Sequence, residues 1–155
     1  MVRRKAVRVL LLDPRGRVLL LHGSDPAVPG VTWWITPGGG IERGEDLRTA
    51  ALRELAEELG PVDVELGPLV AYGTTGFSYQ GQDFEQEQWF HLAWSSTTEV
   101  GLAVSGEQEH AQLLGARWWT LAELRATRET VYPAELAGLL ERVSTGDPPD
   151  PPVRL

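Results

Sequence analysis

The sequence predicts an α/β fold, a mixed sheet covered by helices, and three observations carry that prediction. Short β-rich runs alternate with one strongly periodic helix and are followed by two more helices. The chain has 155 residues, about one domain's worth. Its 42% hydrophobic and 23% charged residues are ordinary for a globular domain that needs no staple. We expect a single domain over residues 1–145, with a Pro-rich tail at 146–155 that is extended or disordered.

Taken in order, Ala6 to Leu12 and Arg17 to Leu21 are apolar runs separated by Asp13-Pro14-Arg15-Gly16, which reads as a β-hairpin. His22 to Gly30, with two prolines and two glycines, is a loop, and Val31 to Thr36 is a short strand holding Trp33 and Trp34. Pro37-Gly38-Gly39-Gly40 should break regular structure. From Asp46 to Leu59 the period turns helical, with Leu47, Ala50, Ala51, Leu55 and Leu59 on one face. Glu45 and Asp46 suit its first turn, and Gly60-Pro61 stops it. Val62 to Tyr79 and Glu87 to Ser95 read as a long antiparallel pair around the turn Gln80-Gly81-Gln82-Asp83. Short strands follow at Leu102 to Val104 and Ala116 to Trp119. Thr120 to Glu123 forms a capping box for a helix through about Ala126, and Pro133 to Val143 is a terminal amphipathic helix.

Composition removes whole classes of chemistry. Without cysteine there is no disulfide, no thiolate zinc site, no iron–sulfur cluster and no cysteine nucleophile. Three scattered histidines, His22, His91 and His110, do not suggest a histidine-built metal site. A net charge of −8 opposes binding to a nucleic-acid backbone, so no nucleic-acid partner is expected. A phosphorylated substrate would need positive charge from elsewhere, and divalent metal is the usual source. No apolar run approaches the roughly 20 residues of a membrane helix. The basic start is interrupted by Arg8 and ended by Asp13-Pro14, so it reads as a strand rather than a signal peptide. A cytoplasmic location fits.

The informative segment runs from Gly39 to Gly60. On a helical wheel with Glu54 at zero, Glu57 falls at about −60° and Glu58 at about +40°. Three carboxylates on so narrow an arc repel one another, yet they are the hard oxygen ligands that Mg²⁺ or Mn²⁺ prefers. From the helix alone, a solvated acidic face is the commoner explanation. The glycine run leading into that helix shifts the balance, because it permits close ligand approach and can turn a carbonyl to a metal. Arg53 can pair with Glu45 or with the helix acids and hold the geometry.

This segment resembles the signature of the Nudix hydrolases, Gly, five residues, Glu, seven residues, Arg-Glu-aliphatic-any-Glu-Glu-any-Gly-aliphatic. Gly39, Glu45, Arg53, Glu54, Leu55, Glu57, Glu58 and Gly60 are in register, and Pro61 replaces the last aliphatic residue. The resemblance implies an α/β/α sandwich and hydrolysis of a nucleoside diphosphate linked to another moiety, with Mg²⁺ or Mn²⁺ as cofactor. It implies metal ligation by Glu54, Glu57, Glu58 and the Gly39 carbonyl, with Arg53 and Glu45 as a supporting pair. A general base is expected in a loop before the Arg117-Trp118-Trp119 strand; Glu109 is preferred over Glu107, with Glu57 and Glu58 as alternatives. Tyr79 lies where a tyrosine occurs in the family's diadenosine polyphosphate hydrolases, although strand packing explains one aromatic as well. Arg8, with Arg3, Arg4 and Lys5, could meet phosphates. The expected partner is a small-molecule nucleotide, and a homodimer is allowed. The competing readings are a non-catalytic nucleotide-sensing module and an acidic helix by coincidence.

Overall fold

The structure is a computed structural model that describes residues 1–99, 106–108 and 111–155. Its strands are β1 (Val2–Leu12), β2 (Val18–Ser24), β3 (Thr32–Ile35), β4 (Gly38–Gly40), β5 (Val64–Tyr79), β6 (Gln82–Ser95), β7 (Gly106–Gln108), β8 (Ala111–Trp119), β9 (Val131–Tyr132) and β10 (Val153–Arg154). The helices are α1 (Leu47–Leu59), between β4 and β5, α2 (Leu121–Ala126) and α3 (Leu136–Ser144). The strand expected at residues 102–104, and Glu109, lie outside the described residues. Among the described residues no helix is long and apolar enough to cross a membrane.

The sheet runs β10-β5-β6-β1-β2-β3-β9, with β4 added to β1, and β8 joining β2 to β7. It is mixed, since β1 pairs parallel with β6 while β5–β6, β1–β4 and β2–β8 are antiparallel. Strand alternation sends β1 side chains to two cores. Val7, Val9 and Leu11 pack with Leu19 and Ala93 against Ala50, Ala51 and Leu55 of α1. Leu10 and Leu12 pack with Leu20, Leu92 and Trp119 against Leu136, Leu139 and Leu140 of α3. The result is an α/β/α sandwich.

The hairpin expected from the first two runs closes at Leu12↔Val18, and the two strands then take other neighbours. Both runs are continuously apolar, the pattern of strands covered on both faces at the middle of a sheet. Asp13 holds the connection, its carboxylate accepting from the Arg15 and Arg17 amides at 2.9 and 2.8 Å. The Pro37-Gly-rich segment forms a strand rather than breaking structure, because Gly38–Gly40 lie against Ala6–Arg8.

The first helical residue of α1 is Leu47, since Asp46 is the N-cap and accepts from Thr49 N. Glu45 therefore precedes the helix, and Gly60 ends it at φ 75°. The β5–β6 turn narrows to Gln80 and Gly81, both at positive φ. The capping box of α2 is complete, whereas α3 begins after a Pro133–Leu136 turn. The end of the tail pairs with β5 at Ala71 and Tyr72.

Candidate active site

Two neighbouring glycines fix how closely β4 can approach the rest of the site. Gly38 has φ 144°, and a Cβ there would lie 2.1 Å from the Val7 carbonyl oxygen. A Cβ on Gly39 would lie 2.6 Å from the carboxyl atoms of Glu54. The β4 backbone thus rests directly against an acid of α1, as only glycine permits.

Arg53 is the hub of the acidic helix. Its Nε and Nη2 donate to the two Glu45 oxygens at 2.7 and 2.8 Å, a bidentate pair. Nη2 also donates to Gly40 O at 2.9 Å, tying α1 to β4. Nη1 donates to Glu54 Oε1 at 2.9 Å and reaches Glu57 at 3.3 Å. The Arg53 hydrogen bonds, helped by the Glu42 amide, pull the Glu45 carboxyl down to about 2, and the Glu45 and Glu54 carboxylates hold the Arg53 guanidinium firmly charged.

The three helix acids occupy different environments. Glu54 is 4% exposed. Glu58 accepts from the Gly38 amide at 2.8 Å. Glu57 projects outward, its side chain 54% exposed. Among the described residues no group of three or more His, Asp or Glu side chains converges as a metal-ligand set. The donors themselves, carboxylates on one helix face beside a glycine backbone, have the hard-oxygen chemistry that a divalent cation requires.

Glu54, Glu58, Gly38 and Gly39 line one side of a cleft of about 460 Å³. Arg4 and Arg8 line it too, and Arg8 Nη1 donates to Thr36 O at 3.1 Å. Its floor is one face of β5 and β6, where Gln86, Gln88 and Phe90 lie beside Thr75, Gly73 and Ala71. Tyr79 is on the same face of β5 but buried beyond the lining. The structure therefore brings Gly39, Glu54, Glu58 and Arg8 to one cleft and Arg53 and Glu45 behind it. Gln86 and Gln88 were missed. Their signal is the alternation Phe84-Glu85-Gln86-Glu87-Gln88-Trp89-Phe90, which puts amides on the inner face, but it names no chemistry without the cleft.

The NUDIX domain model matches residues 2–141. The chain belongs to the Nudix family. The RNA pyrophosphohydrolase of Roseobacter denitrificans is 34% identical over 134 residues, covering 78% of this chain and 79% of that protein. The protein of the same name from Cereibacter sphaeroides is 31% identical over 160 residues, covering 94% and 91%. A Nudix hydrolase of known structure from Nitrosomonas europaea shares the fold with TM-score 0.65 and 18% identity, over 100% of this chain and 80% of that one. The chain is thus a Nudix pyrophosphohydrolase, an enzyme acting on a pyrophosphate bond.

Proposed function

We propose that this Nudix enzyme is a metal-dependent hydrolase of nucleoside diphosphates linked to another moiety, and that the moiety is the rest of an RNA carrying its phosphates at the 5′ end. The observation that carries the reading is one cleft shared by acids and bases, with Glu54, Glu58 and Gly39 on one side and Arg4 and Arg8 nearby. The RNA pyrophosphohydrolase name of the relatives supports the choice of moiety. It replaces the expectation, drawn from the net charge of −8, that nucleic acid is no partner. Reading a 5′ end needs positive charge at one cleft rather than along a whole surface.

Glu54, Glu57 and Glu58, with the Gly39 carbonyl, would hold the cation. When bound, Mg²⁺ or Mn²⁺ supplies charge neutralisation at the phosphates and activation of water. Of the three acids Glu57 is the most loosely held and the freest to change partners. Arg53 keeps Glu54 in place and, through Gly40, keeps the helix against β4. Arg8 orients the phosphate chain from the β1 side. Water attacks phosphorus, the bridging P–O bond breaks, and the bridging oxygen leaves with the departing phosphate. Glu109 accepts the water's proton as the preferred base.

The test is release of the hydrolysis products, separated by anion-exchange chromatography, from a 5′-triphosphorylated oligoribonucleotide, ADP-ribose, a nucleotide sugar and a dinucleoside polyphosphate, each with Mg²⁺ or Mn²⁺. Release from the RNA at higher kcat/KM than from the others is expected. Preference for any of the other three overturns the RNA assignment, and no release from any of them overturns the hydrolase reading.

A further inference from the structure

The cleft lies where the sheet divides into two branches. β1 and β2 pair at Leu12↔Val18, and beyond that point each strand takes other neighbours. β1 runs beside β6 back to Val2↔Phe84, while β2 runs beside β8 and β3 to Ser24. Both branches line the cleft, the first through Thr75, Phe77 and Ser78 of the β5–β6 hairpin, the second through Leu21, Trp33 and Leu113. Their far ends are joined at Asp25, which directly follows β2 and is only 5% exposed. Asp25 Oδ1 accepts from the Ala27 amide at 2.9 Å, within its own loop. Its Oδ2 accepts at 3.0 Å from the amide of Gln80, 55 positions away at the hairpin tip.

The choice of side chain points to the second of these bonds. The hairpin ladder closes at Tyr79↔Gln82, so the Gln80 amide lies beyond it and takes its partner from outside. Burying a carboxylate is costly, and the turn at Ala27 alone does not require one. Asparagine has an oxygen for the Ala27 amide, but its NH₂ group cannot accept from a second amide. We propose that Asp25 is a positioning residue: by tying the hairpin tip to the end of β2 it fixes the spacing of the two branches, and with it the fit of the substrate's nucleoside part against Trp33, Leu113 and Phe77. The inference rests on the proposed reading of the substrate as a nucleotide derivative. The hydrogen bonds of Asp25 lead to Ala27 and Gln80, away from the acids of α1. Its loss therefore weakens binding of the part that does not react, which shows as a higher KM at constant kcat.

Steady-state kinetics on whichever substrate of that panel the native enzyme turns over fastest, together with calorimetric binding of ADP, test it. Asp25→Asn should raise KM and the Kd for ADP by about tenfold, the scale of one hydrogen bond to a charged group, with kcat within about twofold of native. Gln80→Gly keeps the amide and suits φ 49°, so both constants should stay at their native values. The chain has no cysteine, so Asp25→Cys/Gln80→Cys can be joined by a short thiol-specific crosslinker. Unjoined, this protein should behave as Asp25→Asn; joined, it should return to within about twofold of the native KM, because the branches are again held in place. The joined protein also keeps the test open should Asp25→Asn fail to fold. Native KM and Kd in folded Asp25→Asn, a fall in kcat as large as the rise in KM, or no recovery on joining overturns the assignment. If no substrate is hydrolysed but ADP affinity depends on Asp25, the hydrolysis reading fails and this one stands. If turnover occurs with a KM that does not depend on Asp25, the reverse holds.

Discussion

Arg53→Ala strips Glu54 of its guanidinium while the carboxylate stays 4% exposed, between the β4 backbone and α1. It also removes the bond to Gly40 O that ties the helix to β4. Breaking a buried ion pair from one side costs about 3–5 kcal/mol. The Arg53 side chain is 22% exposed, so water can enter the vacated space and the lower end applies, about 3 kcal/mol. For a chain of this size each kcal/mol moves Tm by about 2–4 °C, so a fall of roughly 6–12 °C is expected. Neutralising the Glu54 carboxylate in Arg53→Ala/Glu54→Gln should recover about 1–2 kcal/mol, because neighbours in one network are not additive. Arg53→Lys keeps the charge but cannot make the two-pronged bond to Glu45, and should fall between. Thermal unfolding by circular dichroism without divalent cations reads all four proteins. A loss below about 1 kcal/mol for Arg53→Ala, or no recovery in the double variant, would refute the buried-pair reasoning.

Acid should unfold the protein partly through Glu45. Its folded-state pKa, about 2, lies below the ordinary 4.5, so the pair's contribution is full above about pH 4.5 and is lost as pH falls towards 2. Native protein should therefore lose stability more steeply than Glu45→Gln across that window, and parallel curves would contradict the pairing. Gly38→Ala should cost more than about 3 kcal/mol, since its Cβ meets the Val7 backbone. Gly44→Ala, at φ 79° with nothing within 4 Å, should cost only about 1 kcal/mol; equal chemical-denaturation midpoints for the two would refute the steric argument. In steady-state assays Glu109→Gln should lower kcat by about 10²–10⁴-fold and leave KM nearly constant, with Glu107→Gln close to silent. Near-normal kcat in both would move the base elsewhere.

What was legible in the sequence was local. Helix α1 announced itself through a repeating apolar face and the Gly60 stop, and the Nudix spacing placed its acids; Asp46, expected in the first turn, is the cap. The turn around Gln80-Gly81 and the box at Thr120–Glu123 likewise depend on residues a few positions apart. The parallel pairing of β1 with β6 joins residues some eighty positions apart and has no local cue. The two adjacent apolar runs do pair as the expected hairpin at Leu12↔Val18, but nothing local showed how short that pairing is or which strands flank each run beyond it. The role of Gly38 and Gly39 was half visible: flexibility followed from composition, but their close packing against Val7 and Glu54 came only with the fold. The cleft floor was invisible for the same reason. Gln86 and Gln88 read as ordinary strand residues until β5 and β1 are laid beside them. Tyr79, singled out by its position after the box, is packed away from the cleft lining.

Hydrolysis of a 5′-triphosphorylated RNA by native protein and Glu58→Gln, with Mg²⁺ or Mn²⁺ and again in excess chelator, tests the site most directly. Glutamine keeps the side chain's size and retains an oxygen to accept the Gly38 amide, so the fold should persist. Native protein should release phosphate only with the cation, and Glu58→Gln should turn over about 10²-fold more slowly, as loss of one anionic ligand implies. Full turnover by folded Glu58→Gln, or undiminished turnover in chelator, would contradict pyrophosphate hydrolysis at the Glu54–Glu58–Gly39 side of the cleft.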